Sequence, residues 1–229
     1  MNYVILLTAC INPNGMMYTK LQNSDHRKKQ YIKALDWYIK NTKFNIIFTE
    51  NSNCDFSNMY KKYIEENRLE YLTYNGNDYD KSLGKGFGEA NIIKYAINNS
   101  KLICDDDCII KITGRVKVLN ISKLININAK EIQCNRNNNK YIESTIFSFP
   151  IQFFKKYFIK NINLINDSKS FYFEHALYKS INEQNEFKKS EFKMNPKIDG
   201  FRGTTGRKYS NQRDNYLCWM AEKRRSPPS

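Results

Sequence analysis

Residues 3–9 read YVILLTA, an unbroken apolar run of the kind a strand shows when both faces of its sheet are covered. A second buried strand is read at 44–49, and further strands at 69–74 and 108–118. Helical spacing fills the gaps between them. After the first run, Tyr31, Leu35, Tyr38 and Ile39 recur on one face, with Ser24 and Asp25 placed to cap and Arg27, Lys28, Lys29 and Lys33 on the remaining surface. A short helix from about Ser57 carries Met59, Tyr60, Tyr63 and Ile64, and a later one carries Ile92, Ile93, Ala96 and Ile97. Strand and helix alternate through the first half of the chain. That rhythm predicts a mostly parallel central sheet with right-handed crossovers, flanked by helices.

The second half departs from it. Residues 131–135 and 141–149 read as short strands around a polar loop at 135–140, and helices are expected over 150–158 and 170–182. A glycine-rich irregular stretch covers 195–209, and residues 223–229 read as a disordered basic end. This half is a smaller, mixed α+β portion of the same domain, with no internal repeat and no composition break to mark a boundary.

Composition narrows the partners. With 229 residues, 41% of them hydrophobic and 14% aromatic, the chain can form a full core, which argues against global disorder. A formal charge of +14 favours polyanions: nucleic acid, anionic lipid headgroups or nucleotide phosphates. Generic lysine enrichment on solvated faces weighs equally. The six cysteines make no C-x-x-C pair, and His26 and His175 are the only histidines, so a zinc site is not expected. They read as reduced thiols of a cytoplasmic protein. Leu7-Thr8-Ala9-Cys10 has the look of a lipoprotein cleavage box but lacks a basic leader, and no apolar run is long enough to cross a bilayer. At most a peripheral contact with an anionic membrane is expected.

Chemistry concentrates at a few places. Gly84-Lys85-Gly86-Phe87-Gly88-Glu89 reads as a glycine-rich turn opening a helix, where backbone N–H groups and the helix dipole suit an anion. Lys85 adds a point charge. The strand that follows ends in Thr113-Gly114-Arg115, and ligands of open α/β sheets lie beyond the carboxyl ends of the strands. Lys85 and Arg115 are therefore expected to face one diphosphate. Asp199 to Arg207 packs three glycines and two arginines, Arg202 and Arg207, into one segment, which reads as a lid over phosphates or as a plain surface loop.

Two acidic features have double readings. Asp105-Asp106-Asp107 would place Asp105 and Asp107 on a manganese or magnesium ion if residues 101–104 were the fourth strand. If 108–118 is the strand, as its length and β-branched content favour, the triplet is a solvated turn on the opposite edge, and fixed cations neutralise the phosphates. Glu174 shares a helical face with Phe171, Tyr178 and Ile181, so it is either an inward carboxylate serving as a general base or an acid favoured by the first helical turn. His175 is a weaker candidate, and no Ser/Cys/His triad is apparent.

The order of these motifs resembles GT-A type glycosyltransferases: Thr8-Ala9 ending strand one, Glu50-Asn51-Ser52 ending strand two, then the glycine segment before the helix that leads to strand four. More narrowly, Lys-Gly-Phe-Gly-Glu, then Lys111-Ile112-Thr113-Gly114-Arg115, then Phe173-Glu174, then the late glycine-rich stretch resemble small bacterial transferases of capsule and lipooligosaccharide assembly. The resemblance covers most of residues 1–210. It implies a single Rossmann-like GT-A domain over 1–210, with a nucleotide-sugar donor held by residues 1–120, a glycan or lipid-linked acceptor held by 121–210, and a basic tail over 211–229. Thr8, Glu50, Asn51, Lys85, Gly86, Glu89, Thr113, Gly114, Arg115, Arg202 and Arg207 are the implied donor contacts. Glu174 corresponds to the acid with which inverting enzymes deprotonate the acceptor hydroxyl. A clear D-x-D ending strand four is missing, which leaves metal dependence open. The rivals are a nucleotidyltransferase and a nucleic-acid-binding module. Against the second, the aromatics follow the buried periodicity and no recognition motif appears, so no nucleic acid is expected as partner.

Overall fold

The computed structural model describes residues 2–137 and 141–209. Of the polar loop read over 135–140, residues 135–137 are strand and 138–140 lie outside the described residues, as does the tail from 210 onward, so the reading of 211–229 as a separate tail is not addressed. In chain order the elements are β1 (Tyr3–Ala9), α1 (Ser24–Asn41), β2 (Asn45–Glu50), a 3₁₀ turn (Ser57–Tyr60) with α2 (Lys61–Glu65), β3 (Leu69–Thr73), α3 (Gly84–Asn99) and β4 (Cys108–Thr113). There follow β5 (Lys117–Val118), α4 (Ile121–Leu124), β6 (Ile132–Asn137), β7 (Tyr141–Pro150), α5 (Ile151–Phe153), a π turn (Phe154–Phe158), α6 (Ile159–Asn161), α7 (Phe173–Asn182), β8 (Lys189–Glu191) and β9 (Ile198–Asp199).

One sheet, ordered β3-β2-β1-β4-β7-β6-β8, carries both halves of the chain. The β3, β2, β1 and β4 strands run parallel; β7 joins β4 antiparallel, which is how the second half attaches without a boundary. Every residue of β1 is buried, as its uninterrupted apolar sequence requires at the centre of a covered sheet. Layers of side chains close both faces. On one, Tyr31, Leu35 and Tyr38 of α1 meet Leu7, Phe48, Ile110 and Ile112; on the other, Ala90, Ile93 and Ala96 of α3 and Leu177 of α7 meet Val4, Leu6 and Ile109. Burying each of the Leu, Ile, Val and Phe side chains among these contributes about 1.5–3 kcal/mol. This is a Rossmann-like α/β architecture.

Several local expectations need correction. The cap of α1 is Asn23, whose side chain accepts from the His26 N–H, rather than Ser24 or Asp25. Arg27 is buried, not on the helix surface: its Nε and Nη2 donate to the Cys10 carbonyl at 2.8 and 2.5 Å and Nη1 donates to the Leu21 carbonyl, fixing the loop after β1. The fourth strand stops at Thr113, and residues 117–118 pair instead with β9. Tyr38 governs that break. Its hydroxyl donates to the Val116 carbonyl at 3.1 Å and accepts from the Val118 N–H at 2.9 Å, clamping the segment after Arg115 onto α1.

Candidate functional site

The carboxyl ends of the parallel strands are built from a row of threonines. Register places Thr49 beside Thr8 and Thr8 beside Thr113, all on the α3 face. Above the row stands Glu89, from the second turn of α3. Its Oε1 accepts from Thr8 Oγ1 at 3.1 Å and from Thr113 Oγ1 at 3.5 Å, and lies 2.5 Å from Lys111 Nζ. Lys111 is the residue that reading the sequence missed. It is 0% exposed in the middle of β4, and its ammonium also donates to the Ser144 carbonyl at 2.6 Å, between the rings of Phe147 and Phe173. A lone cation inside the run Ile109-Ile110-Lys111-Ile112 was the available signal, because a buried ammonium demands a partner.

Glu174 joins this network from the other half of the chain: its Oε1 accepts from Ser144 Oγ at 2.8 Å. It does not lie on the core face of α7, which is Phe173, Ala176, Leu177, Ser180 and Ile181; it is half-buried at that face's margin. His175 has a local task. Its Nδ1 accepts from the Tyr172 N–H at 3.0 Å and closes the start of α7.

The glycine segment is not a phosphate loop. Only Gly84 has turn geometry (φ 82°), and α3 begins there, so Gly86 and Gly88 are already helical. Their missing side chains make room for protein: a Cβ on Gly84 would meet the Asp167 carboxyl, one on Gly88 the Tyr79 hydroxyl, and one on Gly86 would lie 3.1 Å from Phe173 Cβ. Gly114 likewise admits the Thr8 carbonyl, 2.8 Å from where its Cβ would be. Glu50 is also a builder of structure. Wholly buried, it accepts from the N–H groups of Ile11, Ser52 and Cys54 and from the hydroxyls of Ser52 and Thr73, which ties the loops after β1 and β2 together. Asn51 is 1% exposed, and its Oδ1 has no hydrogen-bond partner among the described residues.

Lys85 and Arg115 each touch a strap formed by residues 198–209. Rather than an irregular loop, this is a small hairpin: β9 pairs with β5, Phe201 bridges Lys208, and the Arg202 N–H donates to the Arg207 carbonyl at 2.8 Å. Its tip crosses the carboxyl edge of the sheet. The Gly203 carbonyl accepts from the Lys20 N–H at 3.0 Å, Thr204 Oγ1 accepts from Lys85 Nζ, and Gly203 packs against the Arg115 guanidinium, 2.6 Å separating Nη2 from the position of a Cβ. Arg202 stacks its guanidinium 4.8 Å from the centre of the Tyr209 ring. Arg115 Nε and Nη1 are buried with no hydrogen-bond partner among the described residues. Lys85 and Arg115 thus share one covering segment, and Thr8, Glu89, Thr113 and Glu174 share one bonded network that ends two residues before Arg115.

The triple Asp stands at the amino end of β4, away from the threonine row. Asp107 accepts from the Asn2 and Cys104 N–H groups, Asp105 pairs with Lys155 and Asp106 with Lys130. Residues 101–104 form no strand. Asp105 and Asp107 therefore do not fit a metal site at the ligand edge, and the described residues hold no cluster of three or more potential ligands elsewhere. No described helix is long and apolar enough to cross a membrane.

The strand order and the site at its carboxyl edge define the class as a mostly parallel, Rossmann-like α/β protein. No protein-family model and no curated protein matches the sequence. Among solved structures, the chain is similar to a cytidylyltransferase from Leptospira borgpetersenii (14% identity over 86% of this chain and 77% of that one, TM-score 0.47). It is also similar to the 2-C-methyl-D-erythritol 4-phosphate cytidylyltransferase of Francisella tularensis (16%, 96% and 99%, TM-score 0.43) and to S. aureus TarS (10%, 78% and 33%, TM-score 0.39).

Proposed function

We propose that the protein is an inverting glycosyltransferase that moves a sugar from a nucleotide-diphosphate donor to a hydroxyl of a glycan or lipid-linked acceptor. The observation that carries this reading is Arg115: a permanently charged guanidinium beyond the carboxyl end of β4, with two buried nitrogens that lack acceptors. Leaving buried donors unpaired costs about 1–3 kcal/mol each, more when the group is charged, and the oxygens of a diphosphate would supply the acceptors. Lys85, Arg202 and Arg207 lie on α3 and the strap around it.

In the step itself, the acceptor oxygen forms a bond to the anomeric carbon as its proton passes to Glu174. The bond from that carbon to the diphosphate breaks, and the electron pair leaves with the nucleoside diphosphate. Arg115 and Lys85 stabilise that departing charge, and the strap excludes water. Glu50 and the threonine row at the carboxyl ends of the strands shape the donor site rather than contact the base directly; Asn51, with its Oδ1 unpartnered among the described residues, is the group available to a nucleobase N–H. Fixed cations take the charge-neutralising part, and no metal is assigned to the site.

Nucleotidyl transfer would use the same cations, since pyrophosphate is also a departing anion, and a hydroxyl attacking the α-phosphorus would need the same base, so the products decide between the two. Incubation with UDP- and GDP-sugars, and with CMP-sugars as donors that lack the diphosphate, separates the two. A ligand at a hundred times its dissociation constant raises stability by about 2.7 kcal/mol, so a thermal-shift screen identifies the donor first. Sugar transfer lost on Arg115→Met and on Glu174→Gln supports the proposal. Pyrophosphate release from a nucleoside triphosphate without sugar transfer replaces it.

A further inference from the structure

The β7 strand is irregular where the two halves of the site meet. Cys134 of β6 pairs with Phe147, yet Arg136, two residues further along β6, pairs with Ile142, five residues back along β7. On the other side the β4 register ends at Ile112 opposite Ile146. Ser144 falls in the skipped stretch, with a ladder partner in neither register. Bulges of this kind re-aim a side chain, and they leave backbone groups that need other partners. Lys111 is that partner: its Nζ holds the Ser144 carbonyl at 2.6 Å while pairing with Glu89 at 2.5 Å. The hydroxyl of the same serine then donates to Glu174 Oε1 at 2.8 Å.

We propose that Ser144, pinned by the buried Lys111, is a positioning residue that orients the Glu174 carboxylate toward the acceptor and links it to the donor side of the site. The inference rests on the proposed role of Glu174 as the base. Lys111 cannot reach the acceptor itself, since it is enclosed and committed to Ser144 and Glu89. Its part is to fix the bulge so that the serine hydroxyl occupies one place. A hydrogen bond to a charged group of this kind, made by a rotor held at its backbone, removes side-chain freedom from Glu174 that each catalytic encounter would otherwise have to freeze. The pattern also explains why an ammonium is buried in β4 at all: an apolar residue at 111 would leave both the Ser144 carbonyl and the Glu89 carboxylate without their partner.

The experiment is a cycle of Ser144→Ala, Glu174→Gln and the double variant, with Ser144→Thr as rescue, assayed for sugar transfer. Ser144→Ala is expected to lower kcat about tenfold with the donor KM unchanged, and Ser144→Thr to restore most of it. Added to Glu174→Gln, Ser144→Ala is expected to have no further effect, because the serine acts only through that carboxylate. A Ser144→Ala protein with native kcat, or a double variant slower than Glu174→Gln by the full single effect, overturns the positioning role while leaving the transferase reading intact. A wild-type protein that transfers no sugar, or a fully active Glu174→Gln, removes the reading and this inference together.

Discussion

Lys111 Nζ lies 2.5 Å from Glu89 Oε1, the lysine side chain wholly enclosed and the carboxylate 21% exposed. The pair joins the central strand β4 to α3, the helix that the glycine segment opens, and two threonines from neighbouring strands donate to the same carboxylate oxygen. Removing one member of such a pair is much worse than removing both, because the survivor keeps its desolvation cost without compensation. Lys111→Met is therefore expected to destabilise the fold by about 3 kcal/mol, the low end for buried pairs, since Glu89 retains some solvent. Urea denaturation should show a lower midpoint with an unchanged slope, and the double variant Lys111→Met/Glu89→Met should recover part of the loss. A double variant as unstable as the sum of its singles would show that the two side chains act separately.

Packing at Gly114 gives a second expectation. Its Cβ would meet the Thr8 backbone carbonyl at 2.8 Å, and backbone in a central strand cannot retreat cheaply. Gly15 has φ 72° but open space around it, so alanine there suffers only the left-handed strain of about 1–2 kcal/mol. Gly114→Ala is expected to lower Tm further than Gly15→Ala, with each kcal/mol worth about 2–4 °C in a chain of this size. Differential scanning calorimetry ranks the two directly.

Chelation tests the charge chemistry. With Asp105 and Asp107 on the far edge of the sheet, turnover is expected to survive EDTA, and Asp107→Ala is expected to cost about 2 kcal/mol of stability by freeing two backbone N–H groups. Activity abolished by EDTA and restored by manganese would return the metal to the mechanism.

Alkaline pH tests the half-buried Cys10 thiol and the buried Cys108 thiol. Burial pushes the Cys10 thiol up to about 11, with Arg27 partly opposing it, and burial likewise raises Cys108 to about 11. Below the ordinary thiol value of 9.0 both folded and unfolded chains keep the proton. Above it only the unfolded chain releases the proton, so this contribution to stability is lost as pH climbs from about 9 to about 11. Several buried tyrosines add their own loss at still higher pH, which is why the comparison with Cys10→Ala matters. That variant is expected to lose less stability over the window than the native chain, measured by urea denaturation at stepped pH. Identical slopes would place Cys10 in an ordinary solvated setting.

Much of the layout was legible in the chain. An apolar run with no polar face can be satisfied only inside a sheet covered on both sides, so β1 and β2 announced their positions. The edge on which the triple Asp stands followed from the same reasoning, because a strand starting at Cys108 leaves those acids at its amino end; Asp107, however, is buried rather than solvated, because it accepts from two backbone N–H groups. The glycines were another matter. Glycine signals a close approach without saying by what, and here Asp167, Tyr79 and Phe173 take the space that was assigned to a phosphate. Arg27, placed on the surface because arginines usually are, turned inward because the Cys10 carbonyl lay within its reach.

By itself the sequence determined the succession of strands and helices, the parallel first half, and which segments would crowd the carboxyl edge, because side-chain periodicity and burial are local properties of the chain. The tertiary structure decided which charges meet. Lys111, Glu89, Ser144 and Glu174 come from a strand, two helices and a bulge far apart in the sequence, and hydrogen bonds between them depend on distances of a few ångström that only the packed fold sets.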